Sequence, residues 1–177
     1  MDAPDVEHCL ICGSSTALVS IADAAATLVV PVETIRRWQE ARQIHIRCGP
    51  GREVLVCVRS LALRAIRRPP SHDLRVERIL DEIQEKFSQS DLKMNALARS
   101  FHISRWHLAR RFKKEAGIGF KKYLTLVRAL KAAELLRETP LSVKEIAARV
   151  GFKHVSDFNH QFRLIFRASP RQYRGPS

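Results

Sequence analysis

Residues 120–138 read FKKYLTLVRALKAAELLRE, and this stretch organises the rest of the chain. It follows Gly117 and Gly119 and ends before Pro140, with no glycine or proline inside it. Its polar residues recur every three or four positions and apolar residues fill the rest, which predicts one uninterrupted helix. Because a helix that is apolar around most of its circumference must be covered on several sides, we expect it to lie at the centre of a helical domain.

The segments on either side of this helix are copies of each other. The matching residues lie 49 or 50 positions apart: Ala98 and Ala147, Phe101 and Val150, Leu108 and Phe158, Phe112 and Phe162, and Tyr123 and Tyr173. In each copy the pattern predicts a helix, a turn and a second helix, with Ser104 and Ser142 as helix caps. The 19 residues between the copies span about 28 Å as a helix, close to the ~34 Å between successive major-groove faces of B-DNA. The sequence therefore predicts two helix-turn-helix motifs spaced for two adjacent major grooves.

The composition is that of a globular, basic protein. The chain has 177 residues, of which 45% are hydrophobic and 28% are charged, and its net charge is +13. Residues 71–177 hold 22 Lys and Arg against 11 Asp and Glu, whereas residues 1–70 hold 9 against 7. A basic domain with two helix-turn-helix motifs predicts a polyanionic partner, double-stranded DNA. The sequence contains no long apolar run and no leader-like start, so we expect no membrane partner and a cytoplasmic location.

Three segments carry a resemblance to a known family. They are HISRWHLARRFKKEAGIGFKKYL, LKAAELLRETPLSVKEIAARVGF and FRLIFRASPRQYR, and with them residues 74–174 resemble the DNA-binding domain of AraC-type bacterial transcription regulators. The resemblance implies a mainly α fold, a double helix-turn-helix domain joined by a long linker helix. It also implies a sequence-specific transcription regulator, usually an activator, with RNA polymerase as a second partner; a monomer can occupy both grooves, and the oligomeric state stays open.

One position departs from the family pattern. Arg167 stands where the family usually has glycine after the last aromatic residue of the final recognition helix. A residue other than glycine in a left-handed helix cap costs on the order of 1 kcal/mol, so we expect a locally adjusted helix end.

A second, smaller unit precedes this domain. Residues 20–30 and 32–43 have helical periodicity, and residues 44–48 and 53–58 predict two strands joined by GPGR. This order resembles the winged helix-turn-helix modules of the excisionase and MerR type. We therefore divide the chain into residues 1–64, a small winged module with a two-stranded wing; residues 65–73, a linker with a proline pair; and residues 74–177, the AraC-type domain. The net charge of the module is low, so its role, DNA contact through Arg36 and Arg37 or protein contact, stays open.

The candidate base-reading residues lie on the outer faces of the two recognition helices. They are Arg105, Trp106, Ala109 and Arg110 in the first motif and Val155, Ser156, Asn159 and His160 in the second. Arg110 can donate two hydrogen bonds to guanine, and Asn159 can pair with adenine in the same bidentate way. Lys113 and Lys114 are candidates for phosphate contacts.

The cysteines suggest a zinc site. Cys9 and Cys12 form a CxxCG knuckle, which supplies half of a tetrahedral ligand set. If Ile46 pairs with Val56 in the wing, one face carries Ile44, Ile46, Cys48, Val54, Val56 and Val58, which we expect to be the core face. That register sets His45 opposite Cys57 on the other face. It places Cys48 on the core face, so Cys48 is not included among the zinc ligands. We therefore predict a structural zinc ion bound by Cys9, Cys12, His45 and Cys57, in preference to a CxxC disulfide or four unrelated thiols.

Other function classes find less support in the sequence. It contains no phosphate-binding glycine loop, nucleophile elbow or paired carboxylates that would indicate an enzyme. Two alternatives remain. One is a DNA-binding architectural or interaction protein without strong sequence preference. The other is a zinc-thiolate acceptor of alkyl groups from damaged DNA, whose cysteine spacing does not match this chain.

Overall fold

The computed structural model describes residues 6–9, 14–66 and 74–174, and it is mainly helical. The strands are β1 (Val6–Cys9), β2 (Ser14–Ser20), β3 (Ile46–Cys48) and β4 (Val54–Cys57). The helices of the N-terminal unit are α1 (Ile21–Leu28), α2 (Val32–Glu40) and α3 (Val58–Ile66). Those of the C-terminal domain are α4 (Leu74–Lys86), α5 (Met94–Ser100), α6 (Arg105–Ala116), α7 (Phe120–Glu138), α8 (Val143–Arg149), α9 (Val155–Phe166) and α10 (Pro170–Arg174). No helix in these ranges has the length and apolar character needed to cross a bilayer.

The central helix has the predicted bounds. Helix α7 begins after Gly119 and ends at Thr139, whose backbone N–H donates to the carbonyl of Leu135. Nine of its 19 residues are buried, and they are distributed around the whole circumference. Helices α3, α6, α8, α9 and α10 pack against it. The prediction of a helix covered on several sides is confirmed.

The sequence repeat is also a repeat of side-chain geometry. The rings of Phe112 and Tyr123 meet edge to face, with centroids 5.5 Å apart and an interplanar angle of 85°. The rings of Phe162 and Tyr173, their counterparts in the second copy, lie 5.3 Å apart at 85°. Edge-to-face packing is a favoured arrangement of aromatic rings. Each motif is therefore anchored to the following helix by the same aromatic pair.

Each copy has two left-handed backbone positions, one in the turn and one at the end of the recognition helix, and glycine occupies a different one of them in each copy. In the helix-turn-helix turn, His102 has φ 53° and its counterpart Gly151 has φ 90°. At the end of the recognition helix, Gly117 has φ 76° and its counterpart Arg167 has φ 57°. Arg167 thus keeps the left-handed cap itself, and our expectation of an adjusted helix end is wrong. Each copy carries the cost of one residue other than glycine in this region.

The N-terminal unit contains more regular structure than its sequence suggested. A hairpin of β1 and β2 precedes the first helix and extends the wing to a four-stranded sheet in the order β1-β2-β4-β3. After β4 the chain turns at once into α3, which includes the first two residues, 65 and 66, of the predicted linker. The rest of that linker, residues 67–73, lies outside the described residues.

The wing has the predicted register, and Ile44, Val56 and Val58 of the predicted core face are buried. Ile46 pairs with Val56, and the N–H of Cys57 donates to the carbonyl of His45 over 2.9 Å. Ile46 is nevertheless 43% exposed and Cys48 is exposed, whereas Cys57 is only 1% exposed. The reason is that β2 pairs with the other edge of β4 and α3 folds back beside it. The face that carries Cys57 is therefore covered rather than turned to solvent.

The two units pack against each other. Helix α3 contacts α7 and α9, and the buried residues of both units form one continuous cluster. Tyr123 donates its hydroxyl to the carbonyl of Ile66 over 3.3 Å, and Arg167 donates from Nη2 to Thr27 Oγ1 over 3.2 Å. Within the described residues, the winged unit is thus docked on the side of the C-terminal domain that carries the second motif.

Candidate nucleic-acid interface

The first recognition helix is α6. Ser104 caps it by accepting a hydrogen bond from the N–H of His107 over 3.2 Å. Leu108 and Phe112 are fully buried, which fixes the rotation of the helix about its axis. The opposite face carries the four residues predicted to read bases, and all four are exposed: Arg105, Trp106, Ala109 and Arg110.

Trp106 and Arg110 form a pair on this face. Trp106 is 73% exposed, an unusual position for an indole ring in a monomer. The guanidinium carbon of Arg110 lies 5.2 Å from the centre of that ring, within the range of a cation–π contact. The contact restricts the rotamers of both side chains before any partner is bound. It presents a planar hydrogen-bonding group and a flat apolar surface side by side.

The second recognition helix is α9, held by the buried rings of Phe158 and Phe162. Ser156 and His160 are exposed, as expected for base contacts. Val155 is half-buried: it packs against the hydrophobic core and also lines the groove beside Asn159. Asn159 is half-buried at the side of a basic groove. That groove is lined in part by Lys144, Arg163, Arg171 and Arg174.

A hollow lies between the two motifs, and it contains residues that the sequence analysis did not select. It is lined by residues from the start of α6, from α7, from the turn before α9 and from α9 itself: Arg105, Lys121, Thr125, Arg128, Lys153, His154, Asp157 and Gln161. Asp157 and Gln161 are new candidates. They lie four residues apart on α9, which places the two on one helical face, and this spacing was the available signal.

Arg128 joins the segment that follows α4 to the turn of the second motif. Its Nε donates to the carbonyl of Phe87 and its Nη2 to that of Gln89, both over 2.8 Å. Its guanidinium carbon also lies 5.7 Å from the ring centre of Phe152 in the turn of the second motif. Burial lowers the pKa of Arg128. This half-buried arginine therefore helps to hold the second motif against the segment that follows α4.

The predicted phosphate contacts lie outside the hollow. Lys113 and Lys114 are exposed in the last turn of α6, and Arg36 and Arg37 are exposed on α2. Lys122, on the neighbouring helix α7, is half-buried. Its pKa is lowered mainly by desolvation and also by the positive charge of Arg167. The basic residues of the interface thus include exposed side chains, such as Lys113, and half-buried ones, such as Lys122.

Three of the four predicted zinc ligands lie together in the N-terminal unit. The ligand atoms of Cys9, His45 and Cys57 are all within 4.8 Å of one another. Burial lowers the pKa of His45, which favours the neutral imidazole. Cys12 lies outside the described residues, and the exposed Cys48 is not part of the cluster.

The fold and the paired exposed recognition helices define a class, the double helix-turn-helix DNA-binding proteins. A sequence profile described as a helix-turn-helix domain matches residues 97–175. The transcriptional activator RhaS of Klebsiella pneumoniae is 33% identical over 122 residues, which are 69% of this chain and 43% of RhaS. This chain spans about half the length, or less, of the curated relatives that it matches.

Two solved structures show the same domain. The C-terminal domain of AraT, a response regulator from Geobacillus stearothermophilus, is 42% identical with a TM-score of 0.57, over 59% of this chain and 87% of that one. The DNA-binding domain of AdpA, a global transcriptional factor solved in complex with a target DNA, is 28% identical with a TM-score of 0.54, over 56% and 89%. The chain belongs to the AraC-type family of transcription regulators, and the profile match includes both recognition helices.

Proposed function

We propose that this protein regulates transcription by reading double-stranded DNA in two adjacent major grooves. The carrying observation is that two recognition helices, α6 and α9, each with exposed polar side chains, both pack against the single helix α7. The names of the relatives, among them a transcriptional activator, favour activation over repression. An activator contacts RNA polymerase, which is therefore a second proposed partner. The proposed location is the cytoplasm, where bacterial DNA lies. The chemistry required is binding alone, so no enzymatic activity is assigned.

The first motif carries most of the sequence readout in this proposal. Arg110 donates two hydrogen bonds to a guanine, and Trp106 packs on the sugar or on a thymine methyl group beside it. Their contact in the unbound protein reduces the ordering cost of that interaction. In the second motif Ser156, Asn159 and His160 offer fewer donors in fixed positions, and Val155 is partly withdrawn into the core.

The remaining basic residues position the protein without reading sequence. Lys113 and Lys114 are placed for phosphate contacts beyond the first recognition helix. Arg36 and Arg37 of the winged unit are also proposed to contact phosphates. The alternative for these two residues is contact with another protein. Asp157, next to the hollow, would accept from a cytosine amino group and repel phosphate.

Selection of bound fragments from a random duplex pool tests the function. The full chain is expected to enrich one motif spread over about 20 base pairs on one face of the duplex, which a monomer covers. Enrichment of no motif would indicate an architectural protein and refute the proposal. A requirement for two copies on inverted repeats would refute the monomeric arrangement alone.

Arg110→Ala tests the assignment of the first motif. We expect affinity for the selected site to fall by about 1–3 kcal/mol, with relaxed preference at one base pair, because the bidentate contact is lost. Lys114→Ala, on the same helix, is the control: it should weaken binding to all sequences about equally and reduce the salt dependence. Equal losses on all sequences for Arg110→Ala would show that Arg110 contacts phosphate instead.

A further inference from the structure

We propose that Cys9, Cys12, His45 and Cys57 bind one structural zinc ion, which closes the sheet of the N-terminal unit. The site is separate from the DNA-reading faces of α6 and α9. It draws on three segments that are distant in sequence: the end of β1, the residue before β3 and the residue that follows Val56 at the end of β4.

The distances agree with those of a tetrahedral metal site. Zinc binds sulfur at about 2.3 Å and imidazole nitrogen at about 2.0–2.1 Å, so two such ligands in a tetrahedron lie about 3.5–3.6 Å apart. Cys9 Sγ and His45 Nδ1 are 3.6 Å apart. Cys57 Sγ completes a triangle in which all separations are at most 4.8 Å. Shifts of a few tenths of an ångström to about 1 Å bring the three atoms to zinc-binding separations.

In a flat sheet with this strand order, Cys9 and His45 would not be expected to lie in contact. Strands β1 and β3 are the two outer strands of the order β1-β2-β4-β3. Three strand spacings of about 4.8 Å would separate their backbones by about 14 Å in a flat sheet. Side chains at the two edges, Cys9 and His45, instead lie in contact. Strands β1 and β4 pair with different parts of β2, residues 14–17 and 18–20, so β1 and β3 are not held side by side by the ladder. A metal ion shared by Cys9, His45 and Cys57 would hold β1 to the wing.

Hydrogen bonds around the cluster hold the ligands in place. The N–H of His45 donates to Ser60 Oγ over 2.9 Å, and Ser60 Oγ donates to the carbonyl of Cys57 over 2.8 Å. The N–H of Ser60 donates to Cys57 Sγ over 3.5 Å, from the first turn of α3. Ser60, itself only 5% exposed, is thus a supporting residue for two ligands.

The sequence supplies the fourth ligand. Cys12 is three residues after Cys9, in the spacing by which two thiolates share one zinc. Four protein ligands make a closed, structural site. Cys9 is 8% exposed and Cys57 is 1% exposed, so neither sulfur is accessible to an alkylated base, which argues against the alkyl-acceptor alternative.

Metal analysis of the purified full chain tests the proposal. We expect about one zinc per chain in the wild-type protein and a decrease of about tenfold in Cys9→Ser, Cys12→Ser and His45→Ala. Cys48→Ser is the matched control, since that thiol is exposed and outside the cluster, and it should keep its zinc. His45→Cys should also keep the metal, because a fourth thiolate replaces the imidazole.

Replacement of zinc by Co²⁺ gives a readout that is independent of stability. The wild-type protein should show the visible bands of tetrahedral cobalt with sulfur-to-metal charge transfer, and the charge-transfer intensity should rise by about a third in His45→Cys, from three thiolates to four. A wild-type chain that is folded but free of metal, a Cys9–Cys57 or Cys9–Cys12 disulfide, or loss of zinc in Cys48→Ser would each overturn the proposal. DNA binding by the wild-type protein is measured in the same preparation, so failure of the zinc site is distinguishable from failure of the DNA-binding assignment.

Discussion

Replacing Phe162 with alanine is expected to lower the free energy of unfolding by about 3–5 kcal/mol, the usual range for a buried phenylalanine. Phe162 is fully buried, and its ring contacts three other aromatic rings, those of Phe158, Phe166 and Tyr173. Alanine leaves a cavity at the point where the second motif is anchored to α10. Urea unfolding followed by circular dichroism measures the change.

The matched control for Phe162→Ala is Arg163→Ala on the same helix. Arg163 is exposed, so the change should stay within about 0.5 kcal/mol. A loss below about 1 kcal/mol for Phe162→Ala would mean that the cavity collapses, or that the ring is not in the core of the second motif.

Gly151→Ala is expected to cost about 2–4 kcal/mol, because two penalties act at one position. The first is the positive φ of 90°, which a residue with a Cβ adopts only at a cost. The second is steric, since an added Cβ would lie 2.7 Å from the carbonyl oxygens of both Phe87 and Ser88. These are backbone atoms, so the turn of the second motif must move away from the segment that follows α4.

Gly117→Ala separates the two penalties. Gly117 also has a positive φ, 76°, but a Cβ there would meet no atom within 4 Å. We expect a loss of about 1 kcal/mol, the conformational part alone. Equal losses in Gly117→Ala and Gly151→Ala, measured by thermal or urea unfolding, would show that the close approach at Gly151 relaxes without cost.

The parts of the fold that depend on local pattern were predictable from the sequence. Helix α7 has the predicted bounds because a continuous helical pattern lies between glycines and a proline, and Ser104 and Ser142 cap the helices expected of them. The exposure of Trp106 and Arg110 followed in the same way from the buried positions of Leu108 and Phe112.

The N-terminal unit was predicted less well because its structure depends on distant neighbours. Residues 58–66 have apolar positions at helical spacing, with Val58, Leu61, Ala62 and Ala65 buried, but the proline pair that follows suggested a linker. The register that sets His45 opposite Cys57 was correct, since it follows from pairing alone. The choice of core face was correct for Ile44, Val56 and Val58 but not for Ile46 and Cys48. The cover that β2 and α3 give to Cys57 cannot be read from the two wing strands.

The continuous core has a consequence for the way the protein loses its structure on heating. Buried residues of α3 belong to the same cluster as those of α7 and α9, so separating the two units would expose both sides of their contact to water. The energetic penalty of that exposure couples them, and melting is expected as a single cooperative transition. Damage to the small N-terminal sheet would therefore lower the heat tolerance of the recognition helices α6 and α9.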